Sequence, residues 1–290
     1  MKIIISEHSG YCYGVKRAVN MLETLITEEN HVYTLGPIIH NKQVTDYYES
    51  RGVQTVERIS EVPEDLSGHS KIVIRSHGAP KRVYEEAKQL GIEVFDATCP
   101  YVKKIQNTVS SYASKGYNII IVGNTNHPEV IGINGWCDDK ALIVDHPDQL
   151  INVKEVDKPT CVVAQTTYSI KQWEVISSNL KEMIPDIKIY NTICLATEQR
   201  QQSVLELAQK VDMMIVIGGK HSSNTIKLAG LCEQMVETIH IETKDDLNGE
   251  DLIGKEVVGI TAGASTPDWI IQSVILKIEN EGEVIVNDER

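Results

Sequence analysis

The 290-residue chain has one phenylalanine, no Cys-x-x-Cys pair and nothing near the roughly 18 consecutive apolar residues of a membrane-spanning helix. Its start turns polar at Ser6-Glu7 after three isoleucines, too short for the apolar core of a secretory signal. The sequence therefore reads as cytoplasmic, with no membrane partner. Basic charge is also scarce: 28 Lys and Arg stand against 41 Asp and Glu, a net charge of −13. That balance argues against a general nucleic-acid backbone binder and a polybasic membrane binder. The six cysteines are far apart in sequence, so no local zinc-ribbon or thioredoxin signature exists. There is no G-x-x-x-x-G-K-[ST] phosphate loop and no convincing G-x-G-x-x-G after a strand.

What the chain does have is alternation. Short β-branched runs at Lys2–Ile5, Lys71–Ile74, Ile119–Val122, Cys161–Val163, Met214–Ile217 and Glu256–Ile260 predict strands. Apolar stripes at helical spacing lie between them, as in Val15, Val19, Leu22 and Ile26, or Val102, Ile105 and Val109. Strands alternating with helices predict parallel α/β layers.

A longer period overlies this alternation. Cys12, Cys99 and Cys194 each precede a predicted helix and then a strand, which ends in a glycine 24 residues after the cysteine: Gly36, Gly123 and Gly218. Four residues on stand His40, His127 and Ser222. A second strand ends in a polar turn: Arg75-Ser76-His77-Gly78, Gln165-Thr166-Thr167 and Ala262-Gly263-Ala264-Ser265. A helix follows, and then a third strand: Val94–Asp96, Lys188–Tyr190 and Val284–Val286. The expectation is three similar α/β units, 1–98, 99–193 and 194–290, the last with a C-terminal closing strand. Ligands of open α/β sheets bind beyond the carboxyl ends of the strands, where these turns lie. Units closed around an axis would bring three cysteines and three polar turns to one cavity.

Thiols near helix N-termini are biased toward the thiolate. Three converging thiolates suit a metal centre. Zinc with a fourth protein ligand and a [4Fe–4S] cluster with one open iron are both compatible with the spacing. Cys161 in a strand, Cys232 in a helix and Cys137 in a loop read as inert thiols. His40, His77 and His127 occupy turns after strands. Ser222-Ser223-Asn224 and Ser265-Thr266-Pro267-Asp268 are helix-start signals that also offer donors to an anion. Such a set can hold a diphosphate without a phosphate loop. Glu129 is the acid nearest these histidines in sequence, and in a dry pocket it can donate or relay a proton.

Several segments, in order, carry a resemblance: Gly10-Tyr11-Cys12-Tyr13-Gly14-Val15, Leu35-Gly36-Pro37-Ile38-Ile39-His40-Asn41, Arg75-Ser76-His77-Gly78 and Asp96-Ala97-Thr98-Cys99-Pro100. They continue with Asn126-His127-Pro128-Glu129-Val130, Gln165-Thr166-Thr167, Thr192-Ile193-Cys194, Ser222-Ser223-Asn224 and Thr261-Ala262-Gly263-Ala264-Ser265. Together they resemble the iron–sulfur hydroxymethylbutenyl diphosphate reductases, the family of the last step of the non-mevalonate isoprenoid pathway. One departure is Tyr11, where that family often has Phe.

The resemblance implies a three-lobed α/β fold in pseudo-threefold arrangement around a central iron–sulfur cavity. It implies a [4Fe–4S] cluster with three cysteine ligands, Cys12, Cys99 and Cys194. It assigns the substrate diphosphate to His40, His77, His127, Ser222, Ser223, Asn224 and Ser265. Thr166 and Glu129 would serve the substrate hydroxyl, with Glu129 the proton source. The implied reaction is reductive dehydroxylation of 4-hydroxy-3-methylbut-2-enyl diphosphate to isopentenyl and dimethylallyl diphosphate, through a cluster with one open iron. Ferredoxin or flavodoxin is the expected electron donor, since no nicotinamide motif is evident. A non-redox [4Fe–4S] hydro-lyase and a non-catalytic iron–sulfur sensor or carrier are the alternatives. A carrier should have a fourth protein ligand, and no fourth cysteine occupies the repeat position.

Overall fold

Isoleucine and valine fill the strands, because β-branched side chains pack well on a pleated sheet covered on both faces. The computed structural model describes residues 1–27, 31–63, 70–153, 158–280 and 285–288. From the N-terminus, β1 (Lys2–Ile5) leads to α1 (Tyr13–Leu25), β2 (His31–Leu35), α2 (Lys42–Ser50), β3 (Gln54–Val56), β4 (Ser70–Ile74), α3 (Lys81–Gln89) and β5 (Glu93–Asp96). The middle of the chain adds α4 (Pro100–Ser114), β6 (Asn118–Val122), α5 (Pro128–Asn134), β7 (Leu142–Val144), β8 (Thr160–Ala164), α6 (Ile170–Met183) and β9 (Ile187–Ile189). The last third adds α7 (Leu195–Ala208), β10 (Met213–Ile217), α8 (Ser223–Glu233), β11 (Glu237–Ile241), β12 (Val257–Ala262), α9 (Asp268–Asn280) and β13 (Ile285–Asp288).

These elements form two units. One comprises Met1–Val15, Ile39–Asp46 and Leu195–Arg290, and the other Lys16–Ile38 and Tyr47–Cys194. The second holds two four-stranded sheets, β3-β2-β4-β5 and β7-β6-β8-β9. The first holds one five-stranded sheet, β11-β10-β12-β1-β13. Every pairing among the described residues is parallel.

The three sheets share one strand order, and β1 takes in the third the place that β5 and β9 take in the others. The sequence pattern assigned that place to Val284–Val286. Val284 lies outside the described residues, and Ile285 and Val286 belong to β13, one position further out and paired to β1. The place is already filled because β1 hydrogen-bonds to β12, with Lys2 opposite Val257 and Ile5 opposite Ile260.

Side chains alternate across each strand, so each sheet supplies two apolar faces. In the five-stranded sheet, Ile3, Ile5, Ile215, Ile217 and Ile260 meet Ile270, Ile271, Val274 and Ile278 of α9. On its opposite face Ile4, Met214 and Val216 meet Val204 and Leu207 of α7 and Leu228 of α8. The β6–β8 sheet repeats the scheme: Ile119, Ile121 and Val163 face α4 and α5, while Ile120, Val122 and Val162 face α6. With both faces covered, the carboxyl ends of the strands are left for polar turns.

Candidate active site

Cys12, Cys99 and Cys194 each stand one residue before a helix: α1 starts at Tyr13, α4 at Pro100 and α7 at Leu195. Each backbone N–H donates to a carbonyl two residues beyond the end of a strand. Cys12 N reaches Ala264 O (3.2 Å), Cys99 N reaches Ser76 O (2.9 Å) and Cys194 N reaches Thr166 O (3.1 Å). The three cysteines are thus tied to the three polar turns by the same bond. All three are half-buried. Cys137, Cys161 and Cys232 are buried instead. Burial pushes the Cys161 and Cys232 thiols up to about 12 and raises Cys137, which disfavours the thiolate. Cys137 lies in the turn after α5, with its Sγ donating to Asn134 O (3.2 Å). The donor set therefore fits an iron–sulfur group: three accessible thiols at equivalent helix starts, set apart from three inert ones.

The glycines at the repeat position all have close neighbours. A Cβ at Gly36 would lie 2.7 Å from Arg75 Nη1, at Gly123 2.7 Å from Gln165 Cβ, and at Gly218 2.5 Å from Thr266 Oγ1. At Gly123 and Gly218 only hydrogen fits between the first strand's end and the residues after the second strand, whereas at Gly36 the neighbour is the movable end of Arg75 and the backbone φ of 66° favours glycine.

The first unit gathers several hydrogen-bond donors. Ser222 caps α8, its Oγ accepting from Thr225 N (3.4 Å). Ser265 Oγ donates to His40 O (3.2 Å) and lies 3.3 Å from Ser222 Oγ. Ser222, Asn224 and Ser265 are buried, and Asn224 Nδ2 has no hydrogen-bond partner among the described residues. A buried amide N–H₂ without a partner is costly, unless a ligand supplies the acceptor. Ser223 and Asn224 occupy the first turn of α8, whose N–H groups favour an anion. His40, Ser222, Ser223, Asn224 and Ser265 thus fall in one unit.

The second unit gathers His77, His127, Glu129 and Thr166. His127 Nδ1 caps α5 by accepting from Glu129 N (3.1 Å), so Nε2 carries the proton of the neutral ring. The His77 and His127 rings stand edge to face, centroids 5.1 Å apart. Glu129 is 1% exposed. Thr166 grips both its oxygens: the Thr166 amide donates to Oε1 and the hydroxyl to Oε2, each at 2.6 Å. Thr166 O in turn accepts from Cys194 N. A buried carboxyl and a cysteine are joined through one threonine.

Two residues escaped the sequence reading. Asn41 caps α2, its Oδ1 accepting from Val44 N (3.1 Å), while its buried Nδ2 has no partner among the described residues. Its signal was an Asn beside His40 just before a helix. Arg200 of α7 is buried and donates from Nη2 to Gly10 O (2.7 Å) and from Nη1 to Ala196 O (2.9 Å), tying the loop before Cys12 to α7. A lone arginine in a helix gives no such signal.

Comparison with known proteins points the same way. A family model described as "LytB protein" matches residues 3–279. A protein of Caldanaerobacter subterraneus subsp. tengcongensis named 4-hydroxy-3-methylbut-2-enyl diphosphate reductase is 49% identical over 283 residues, covering 97% of each chain. One of the same name from Clostridioides difficile is 47% identical over 282 residues, covering 97% of this chain and all of the relative, 100%. Among solved structures, an (E)-4-hydroxy-3-methyl-but-2-enyl diphosphate reductase described as the terminal enzyme of the non-mevalonate pathway is 41% identical. It aligns with a TM-score of 0.71 over 96% of this chain and 99% of its own. The Plasmodium falciparum E-1-hydroxy-2-methyl-but-2-enyl-4-diphosphate reductase is 28% identical, with a TM-score of 0.91 over 99% of this chain and 92% of its own. Matched nearly end to end by the family model and by relatives of about half-identical sequence, the chain belongs to the LytB family.

Proposed function

We propose that this chain reduces 4-hydroxy-3-methylbut-2-enyl diphosphate to isopentenyl and dimethylallyl diphosphate, the last step of the non-mevalonate isoprenoid pathway. The names of the relatives support the reaction. The observation that carries it is Thr166, which holds both oxygens of buried Glu129 and the backbone of Cys194. Proton donor and cofactor ligand are thereby fixed to each other.

Cys12, Cys99 and Cys194 would hold a [4Fe–4S] cluster with one iron free of protein ligands. When bound, that cluster supplies electrons and a Lewis-acidic metal. The chain's own groups do the rest. His40, His77, His127, Ser222, Ser223, Asn224 and Ser265 bind the diphosphate through ring N–H, hydroxyl, amide and helix N-terminal donors. Thr166 and Glu129 serve the allylic hydroxyl.

The reaction consumes two electrons and two protons per substrate and releases one water. One proton leaves with the hydroxyl oxygen, and the other adds to either end of the allylic system, giving the two products. Hydroxide is a poor leaving group, so the oxygen must be protonated as it departs. With Glu129 protonated on Oε2 this bond reverses: Oε2 donates to Thr166 Oγ1, and the Thr166 hydroxyl proton turns to the substrate oxygen and passes to it. The Thr166 amide fixes Oε1, so Oε2 is the oxygen that exchanges the proton. Burial excludes water, which would otherwise compete for that proton. The electrons come from outside, from a carrier of the ferredoxin or flavodoxin class in the cytoplasm.

The test is to reconstitute the protein anaerobically with iron and sulfide, add substrate and dithionite-reduced methyl viologen, and follow products by mass spectrometry. Both C5 diphosphates are expected, and neither without reductant. Turnover that ignores the reductant would indicate a hydro-lyase, and no turnover would overturn the assignment.

A further inference from the structure

The helix that begins after Cys99 is basic in an acidic chain. From Ala97 to Gly116 the sequence has Lys103, Lys104 and Lys115 and no Asp or Glu. The outer face of α4 opens on a groove of about 770 Å³ whose lining includes these three lysines, Arg17 and Asp96. Asp96 is the one acid in that lining, and Lys103 holds it at 3.1 Å. Arg17 donates to the carbonyls of Asp96 and Thr98, each at 3.3 Å, which anchors its charge at the groove without cancelling it. Among the described residues, Arg17, Lys104 and Lys115 have no carboxylate in ion-pair contact. The groove therefore presents three unbalanced positive charges on a protein of net charge −13. Pro100, in the first turn of α4, also lines the groove, and the next residue, Tyr101, is 50% exposed.

We propose that this groove is the docking surface for a small acidic one-electron carrier protein of the flavodoxin or ferredoxin kind. The inference rests on the reductase reading, which needs electrons from outside. An acidic carrier is repelled by the chain as a whole and must find a local positive field. An apolar side chain within a charged rim is the ordinary anatomy of such contacts. The position suits the task. Lys104 lies five residues past Cys99, about 8 Å along the helix axis. A carrier seated over the first turns of α4 thus stands beside a ligand of the electron-accepting group. Each docking oxidises the carrier by one electron and reduces the bound cluster by one, so two dockings supply the pair.

The test pairs the holoenzyme with flavodoxin and with methyl viologen, using the double charge reversal Lys104→Glu with Lys115→Glu. Neither lysine belongs to the catalytic or diphosphate machinery. Titration calorimetry with oxidised flavodoxin should show wild-type binding that weakens with salt. Affinity should be at least about tenfold lower in the variant, since like charges now meet. Carbodiimide cross-linking should join flavodoxin carboxylates to Lys104 or Lys115 of the wild type. KM for reduced flavodoxin should rise with the loss of affinity, while viologen-driven turnover stays at the wild-type rate. Unchanged flavodoxin affinity in the variant, or cross-links confined to other lysines, would overturn the docking site alone. Absence of viologen-driven turnover in the wild type would instead overturn the reductase reading beneath it.

Discussion

Thr166 spends all three of its backbone and side-chain polar groups on two neighbours, and the proposed proton transfer rests on that. Glu129→Gln keeps the shape of the pair but has no acidic proton. Turnover is expected to fall about 10²–10⁴-fold, the ordinary contribution of general acid catalysis, with iron content and substrate affinity retained. Single-turnover kinetics on the variant would check this, and near-wild-type rates would move the proton donor to a histidine or to the substrate diphosphate. Asp96 has a structural role at the approach to Cys99. Burial pushes its carboxyl up, but bonds from the Thr98 hydroxyl and amide and the charge of Lys103 outweigh this and hold it below the usual carboxylate range. A carboxyl held down in the folded state stabilises the fold above its unfolded pKa of about 3.9 and loses that contribution as pH falls below it. Asp96→Asn should thus cost about 1 kcal/mol at pH 7, allowing for partial exposure. The gap from wild type should close below about pH 4. Urea denaturation at both pH values measures it, and a gap independent of pH would assign the effect to packing.

At the scale of elements, the proposed function rests on helix starts. α8 presents Ser222, Ser223 and Asn224 at its N-terminus, and the turn after β12 adds Ser265 beside them. Ser222→Ala, Asn224→Ala and Ser265→Ala each remove a donor to a charged oxygen, an interaction of roughly 1.5–3 kcal/mol. KM should rise about 10–100-fold in each, with little loss of kcat, and inorganic diphosphate should compete with substrate in the wild type. Diphosphate that fails to bind at millimolar levels would show that this helix start serves another ligand. Much of this was legible in the sequence, since cysteine, glycine and serine recur at fixed offsets. The predicted central strands agree with β1, β4, β6, β8, β10 and β12 to within two residues at each end. The edge strands were harder to read. β3 and β7 have three residues each, too short to stand out from the loops around them, and β3 (Gln54–Val56) has no apolar run. Asn41 and Arg200 were not legible because their roles depend on partners that only the fold supplies.

At the scale of the molecule, strand pairing was the part that periodicity could not deliver. A run of isoleucines says strand, but not which sheet. β1 joins the sheet of the last third of the chain, so that sheet is completed by the first residues made. The arrangement preserves the rule of the other two sheets: the strand before each cysteine lies next to the strand whose turn binds that cysteine's N–H. One rule applied three times is the reason to assign the three cysteines one role. The measurement that tests this most directly is iron and sulfide content, with visible spectra, of anaerobically reconstituted protein and its single cysteine variants. Wild type and Cys161→Ser should bind roughly four irons and four sulfides per chain. Cys12→Ser, Cys99→Ser and Cys194→Ser should each lose that cluster and the activity with it. Normal iron content in all three variants, or zinc or no metal in the wild type, would contradict the account.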